Sequence, residues 1–337
     1  MENKVILLNH GSGGRLTHQL IDSVFASRFS NPVLEQRSDS AVMNIGGERV
    51  AFTTDSFVVN PLFFPGGDIG KLSVCGTVND LAVSGAIPLA LSASFIIEEG
   101  FPFSDLEKIA DSMAKTALEA SVSIVTGDTK VVNRGKADKL FITTAGIGSF
   151  RDERACTGSC ERVKPGDVVI VNGFLGDHGM AILAAREGMT FSADVKSDCA
   201  ALNRIIADVL DKTDAVAFMR DATRGGLGTV LCELAEDGGI GIEIDEKALP
   251  VRKAVRGMCD MFGFDPLFIA NEGKVVMVVR EEAAPFVLDI MRKNPLGKDA
   301  AIVGRVTDEA AKVKMKTVVG GTRVISMPAG DQLPRIC

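Results

Sequence analysis

The sequence predicts an α/β protein of two domains with a flexible C-terminal tail, and three features of the chain lead there. At 337 residues it exceeds one ordinary core and suits two domains of roughly 150 residues each. In both halves glycine-rich turns separate β-branched runs from helical periods, the alternation expected of sheets with helices packed against them. From residue 327 the pattern dissolves into Met-Pro-Ala-Gly-Asp-Gln-Leu-Pro-Arg-Ile-Cys, where two prolines and a glycine leave no period. Residues 1–154 are therefore assigned to an N-terminal domain, 155–326 to a second α/β domain and 327–337 to an exposed, mobile tail.

In the first half Val50 to Thr54 reads as a strand, Asp68 to Ser84 as a helix of small residues and Leu89 to Ile97 as a second strand. Ser104 followed by Glu107 forms a capping box, and Leu106, Ile109, Ala110, Met113 and Ala117 share one face of the helix it opens. Strands at Val122 to Thr126 and Leu140 to Ile147 complete the run. Arg151 to Pro165 is polar and aperiodic, the expected linker. The second half repeats the grammar with a strand at Val168 to Val171 and helices at His178 to Arg186, Asp198 to Leu210 and Arg224 to Glu236. Strands at Ile240 to Ile244, Lys274 to Val279 and Ala301 to Val306 are interspersed after them.

The charge balance of 37 basic against 44 acidic residues gives −7, with no basic run, which argues against nucleic acid as a partner. No apolar run reaches the roughly 18 residues needed to span a bilayer, so a cytoplasmic protein without a membrane role is expected. The seven cysteines are scattered singly and read as reduced thiols. Cys156 and Cys160 lack a second pair and make a poor zinc signal.

The acids carry more information. Asp80 sits in Val74-Cys-Gly-Thr-Val-Asn-Asp-Leu-Ala-Val-Ser-Gly, a helix so apolar on every side that a lone carboxylate there needs a cation. Asp55 and Asp128 end β-branched strands, where sites form in α/β sheets, and Asp39 precedes a further apolar segment. Any one taken alone reads first as a helix or turn cap, a reading that Asp80, mid-helix, resists best. Together they are hard-oxygen ligands suited to magnesium and the phosphates of a nucleotide. The loop Gly11-Ser-Gly-Gly14 leads into a helix and offers backbone amides to phosphate, although it is neither a Walker motif nor a dinucleotide fingerprint. A second turn, Asp221-Ala-Thr-Arg-Gly-Gly226, opens a helix in the other half. His178 reads as an ordinary helix residue, and Cys337 as a thiol on a tail able to reach roughly 35 Å.

Taken together, His10-Gly-Ser-Gly-Gly, Asp39-Ser-Ala-Val, Thr53-Thr-Asp-Ser-Phe, Val78-Asn-Asp-Leu-Ala-Val-Ser-Gly-Ala, Gly127-Asp-Thr-Lys-Val, Asp221-Ala-Thr-Arg-Gly-Gly and Asn271-Glu-Gly-Lys resemble a known ATP-binding superfamily. It comprises aminoimidazole ribonucleotide synthetase, selenophosphate synthetase and thiamine monophosphate kinase. Within it the closing Pro334-Arg-Ile-Cys337 is similar to the C-terminal signature of the HypE family of hydrogenase maturation proteins.

The resemblance implies two α/β sandwich domains of the aminoimidazole ribonucleotide synthetase type, dimerising through N-terminal sheets that close a barrel, with ATP and Mg2+ between the domains. It implies metal binding by Asp39, Asp55, Asp80 and Asp128. Nucleotide contacts would come from Gly11, Ser12, Gly13, Gly14, Asn79, Thr129, Asp221, Thr223, Arg224, Gly225 and Gly226. Where many members carry paired aspartates this chain has Ser38-Asp39-Ser40, so one ligand is missing or replaced.

The implied activity is ATP-dependent dehydration of a carbamoyl group on Cys337 to a thiocyanate, the source of cyanide for a [NiFe] hydrogenase. Lys130 would sit at the phosphates and Glu272 would be the base. The implied partners are the carbamoyltransferase HypF and the iron scaffold HypC-HypD. Two alternatives stand beside this reading: a kinase or synthase of the same fold acting on a free small molecule, and a non-catalytic thiol carrier regulated by ATP.

Overall fold

The computed structural model describes residues 5–151, 155–189, 195–330, 333 and 335–337. Ahead of the first sheet, α1 (Arg15–Leu20) runs through a π-helical stretch, Ile21–Ala26, into the short α2 (Ser27–Phe29). The first domain then holds β1 (Ala41–Ile45), β2 (Glu48–Phe57), the two-residue strands β3 (Phe63–Phe64) and β4 (Gly67–Asp68), and α3 (Ile69–Val83). It continues with β5 (Ile87–Glu98), α4 (Phe103–Ala120), β6 (Ser123–Val132) and β7 (Leu140–Ser149).

Its main sheet has the order β1-β2-β7-β5-β6, antiparallel except for β5 and β6. Helix α3 packs on β2, β5 and β7, with α4 beside it. Asp68 starts α3, its Oδ1 accepting the N–H groups of Gly70 at 2.7 Å and Lys71 at 3.1 Å. The small residues let α3 lie close to its neighbours: a Cβ on Gly76 would stand 2.9 Å from the Phe57 ring. Every residue of α3 except Lys71 and Asp80 is buried. The opposite face of the sheet is open. Phe52 and Ile147, directly opposite in the β2/β7 register, are 41% and 44% exposed, and the edge strand β6 is exposed along almost its whole length.

The second domain holds β8 (Val168–Val171), α5 (Asp177–Arg186), α6 (Asn203–Leu210), β9 (Val216–Asp221), α7 (Gly226–Gly238) and β10 (Gly241–Asp245). There follow α8 (Lys253–Phe262), β11 (Val275–Val279), α9 (Ala284–Arg292), β12 (Ala301–Thr307), β13 (Lys312–Lys316) and β14 (Thr322–Ile325). The sheet order is β14-β13-β10-β12-β8-β11-β9. Strands β8, β9 and β11 are wholly buried because both faces are covered. Val169, Val171, Phe218, Val276 and Val278 pack on the α7 side, whereas Ile170, Met219, Val275, Met277 and Val279 pack on the α6 and α9 side. That is the period of two expected of a strand.

Several sequence expectations are corrected. Helix α4 begins at Phe103 with Pro102 as its N-cap, and the Ser104–Glu107 capping box does not form. Proline fixes the extended residue before the helix, and its carbonyl already accepts the N–H groups of Asp105 and Leu106. The helix expected from Asp198 starts at Asn203, because the side chains of Ser197 and Asp198 bond elsewhere in the chain. Strand β6 runs on to Val132, so Asp128 lies within a strand and not at its end.

The expected linker is partly packed. Thr157 is 1% exposed, donates from Oγ1 to the carbonyl of Val83 at 2.8 Å and accepts the N–H of Met219 at 2.8 Å, tying the two domains together. Strands β1, β3, β4, β9, β13 and β14 and helices α8 and α9 were not anticipated. The last described residues are seated and not exposed, with Leu333 and Ile336 at 5% and 1% exposure in a core shared by both domains. Pro334 of the terminal signature lies outside the described residues. No helix among the described residues is long and apolar enough to cross a membrane.

Candidate active site

Four carboxylates from both domains gather where α3 meets the second sheet. Asp39 precedes β1, Asp55 stands near the end of β2, Asp80 is the one acid of α3 and Asp221 is the last residue of β9. Burial, and then the charges of Asp221, Asp55 and Asp39, push Asp80 well above the ordinary carboxylate range. Burial, then Asp39 and Asp55, does the same to Asp221. Burial raises Asp39 against the pull of Arg220, and raises Asp55 against that of Arg224.

The surrounding groups fix these acids in place. Thr53 Oγ1 lies 2.8 Å from Asp80 Oδ2 and 2.9 Å from the Asp39 carbonyl. Arg220 Nε stands 3.3 Å from Asp39 Oδ1, an ion pair without hydrogen-bond alignment. The same guanidinium donates to Glu233 Oε2 at 2.8 Å and to the Arg37 carbonyl at 2.9 Å, and His18 Nε2 meets the other Glu233 oxygen at 3.0 Å. A cavity of about 420 Å³ opens beside Asp39, lined also by His18, Ile21, Val33, Arg220 and Glu233.

Asp39 Oδ2 is buried with no hydrogen-bond partner. Among the described residues no three His, Cys, Asp or Glu side chains converge on one point as a ready-made metal centre. The acids feel one another's charge without chelating together. This donor set suits a hard cation that arrives with phosphate oxygens and water and takes only one or two protein carboxylates, as magnesium does.

Glu272 lies in the loop before β11 and is 2% exposed, with Oε1 buried and without a hydrogen-bond partner. Burial first, then the charges of Cys199, Asp221, Asp55 and Asp198, raises it well above the usual range. Its backbone is held firmly. Asp198 accepts the N–H of Glu272 at 3.1 Å and of Gly273 at 3.2 Å, and pairs with Lys274 Nζ at 2.8 Å. The lysine ammonium thus neutralises Asp198 and leaves Glu272 uncompensated.

The tail ends in the core shared by both domains. The N–H of Val58 donates to the Cys337 carbonyl at 3.0 Å, and that of Asn60 to the Arg335 carbonyl at 3.3 Å. Arg186 donates to the Arg335 carbonyl at 2.8 Å and His178 Nε2 lies 2.8 Å from the Ile336 carbonyl. Cys337 packs against the apolar cluster that contains Cys75 and Cys199.

The other expected site residues divide. Asp128 and Lys130 form an exposed ion pair at 2.6 Å on β6 with Thr129 between them. In the sheet register Asp55 aligns with Gly127 through Thr144 and Ala93, three strands away, or about 14 Å. One chain therefore does not bring Asp128, Thr129 or Lys130 to the other acids. The Asn79 amide is taken up by the backbone of Ala200 and Leu202 and is not free for a nucleotide.

Nor is the first glycine loop an open phosphate cradle. The N–H groups of Arg15 and Leu16 donate to the carbonyls of Pro328 and Ala329, and that of Gly13 to Thr17 Oγ1. Arg224 joins the two glycine turns by donating to the Gly11 carbonyl at 3.2 Å, and a Cβ on Gly13 would meet its side chain at 2.9 Å. Thr223 accepts the N–H of Gly226 at 3.0 Å, and Gly225 and Gly226 take φ of 75° and 58° to turn the chain into α7. Sequence reasoning passed over Arg220, Glu233, His178 and Asp198. The only hint was Lys274, the basic end of Asn-Glu-Gly-Lys, which calls for a buried acid.

Residues 37–150 match the family described as AIR synthase related protein, N-terminal domain, and residues 164–316 its C-terminal domain. A relative from Rhodobacter capsulatus named carbamoyl dehydratase HypE is 50% identical over all of this chain and 99% of its own. The solved structure of a HypE–HypF complex superposes with a TM-score of 0.87 at 48% identity, over 92% of this chain and 99% of that one. A HypE solved in complex with ATP superposes with a TM-score of 0.83 at 46% identity, over 99% and 100% of the two chains. On fold, on length and on half of its residues, the chain belongs to the carbamoyl dehydratase HypE family of AIR synthase related proteins.

Proposed function

We propose that the chain dehydrates an S-carbamoyl group on its own Cys337 to an S-cyano group at the expense of ATP, and so supplies the cyanide of a [NiFe] hydrogenase. The observation that carries this is the seating of the C-terminal residues in a core shared by both domains, where Val58 of the first domain and His178 of the second hold the chain on either side of the terminal thiol. The relatives' name supplies the reaction.

The chemistry follows from the leaving group. A carbamoyl amide cannot expel oxide, so its oxygen attacks the γ-phosphorus of ATP and ADP departs. One N–H proton is lost as the imidate phosphate forms. The C–O bond then breaks, phosphate leaves, and the second proton passes to a base as the nitrile forms. Glu272 suits that role because burial raises its pKa above the usual carboxylate range, which makes it a stronger base. Magnesium, when bound, supplies the charge neutralisation that phosphoryl transfer needs, and one or two of Asp39, Asp55, Asp80 and Asp221 would hold it together with the phosphates. Arg224, already drawn to Asp55, is placed to meet phosphate charge.

The remaining residues require a second copy of the chain. Lys130, Thr129 and Asp128 lie on the exposed strand β6, next to a sheet face that exposes Phe52 and Ile147. Pairing of two such faces would close a barrel, bury those side chains and carry Lys130 of one copy toward the acids of the other. A homodimer working in the cytoplasm, loaded by HypF and discharging to HypC-HypD, completes the proposal. In Cys337→Ala, fold and magnesium-ATP binding should persist and no nitrile should form. Undiminished ATP turnover on a free metabolite in that variant would instead identify a small-molecule kinase or synthase.

A further inference from the structure

One buried side chain has no part in this chemistry. His178, on α5, is fully buried, with its ring nearly perpendicular to that of Phe64 and the two centroids 5.5 Å apart. Its Nε2 lies 2.8 Å from the carbonyl oxygen of Ile336, the residue before the reacting thiol. A carbonyl only accepts, so Nε2 carries a proton. Nδ1 stands 2.8 Å from Ser197 Oγ, and that oxygen accepts the N–H of Cys199 at 3.0 Å. Burial holds the ring's pKa below the usual value, so the imidazole is neutral with its proton on Nε2, and Nδ1 accepts from the serine hydroxyl.

The residue after Ser197 fixes the base. Asp198 holds the N–H groups of Glu272 and Gly273, and the N–H of Ala200 donates to the Glu272 carbonyl at 3.3 Å. One short segment thus builds the imidazole's setting on one side and the carboxylate's setting on the other.

We propose that His178 is a positioning residue for the reaction: its Nε2–H latches the Ile336 carbonyl and holds Cys337 in its seat for dehydration, registered to Glu272 through Ser197 and Asp198. The latch rests on the reading of Cys337 as the carrier of the carbamoyl group. It leaves loading untouched, because loading by a separate transferase needs the tail out of its seat.

The test compares full-length His178→Leu, His178→Gln and Ser197→Ala with the parent protein. Three rates are read: iodoacetamide alkylation of Cys337 on the C-terminal peptide, single-turnover dehydration of preloaded carbamoyl-Cys337, and loading by the transferase. Removing this donor should speed alkylation about tenfold and slow dehydration by a similar factor, with loading and magnesium-ATP affinity unchanged. Glutamine, which keeps an N–H near Nε2, should restore both rates to within about threefold. Ser197→Ala should fall between the two, and with glutamine it keeps the test alive if the leucine variant does not fold. Unchanged alkylation and dehydration would overturn the latch. So would a parallel loss of loading and ATP binding, which marks a purely structural histidine. A parent protein that never carries a carbamoyl group on Cys337 would overturn the functional reading instead, and the alkylation comparison would still decide the latch.

Discussion

At the scale of residues, the acids are held against their own repulsion. Asp80 and Asp221 have folded-state pKa values above their unfolded ones, so their contribution to stability is complete below about pH 4 and is lost as pH rises through the raised values. Without magnesium, stability should therefore fall with rising pH, and magnesium-ATP should flatten the fall while releasing protons, seen by calorimetry in buffers of different ionisation enthalpy. Asp80→Asn should stabilise the nucleotide-free protein by on the order of 1 kcal/mol at pH 8 in thermal unfolding, yet weaken magnesium-ATP binding. A loss of stability in that variant would contradict the electrostatic account. Glu272→Gln should lower the dehydration rate about 10²- to 10⁴-fold without changing nucleotide affinity, and an unchanged rate would remove it as the base.

Much of this was legible in the sequence. Asp80 announced itself as an acid in an all-apolar helix, and Asp39 and Asp55 followed from their places beside strands. Asp198 and His178 were not legible, because their meaning comes from partners 74 and 158 residues away, and nothing in local spacing encodes such contacts.

At the scale of elements, α3 and β6 make opposite cases. Helix α3 was readable almost to its ends because small residues on every side leave burial as the only outcome. Strand β6 was misread as short, with Asp128 at its end, because the β-branched run stops at Thr126, whereas Gly127 continues the ladder opposite Ala93. The exposure of β6 yields a sharp expectation. If each site draws Lys130 from one copy and Glu272 from the other, then mixing inactive Lys130→Ala with inactive Glu272→Gln should regenerate activity as mixed dimers form. Mixed dimers that stay inactive would mean that both residues serve within one chain. Placing Asp at Phe52, on the open sheet face, should shift the protein toward monomer in sedimentation equilibrium.

At the scale of the whole molecule, the two sheets, the acid cluster and the terminal residues form one device. The tail was read as solvent-exposed because proline, glycine and polar residues outnumber apolar ones there, yet two apolar side chains, Leu333 and Ile336, suffice to seat it in the shared core. A thiol that enters and leaves such a seat can be loaded outside and dehydrated inside.

The most direct test is intact mass spectrometry of the protein after incubation with carbamoyl phosphate, HypF and magnesium-ATP, reading the mass on Cys337. The account predicts a carbamoyl adduct when the preloaded protein is kept without further ATP, converting to a species lighter by one water when ATP is added. An adduct that never loses water, or one found on a residue other than Cys337, would contradict it.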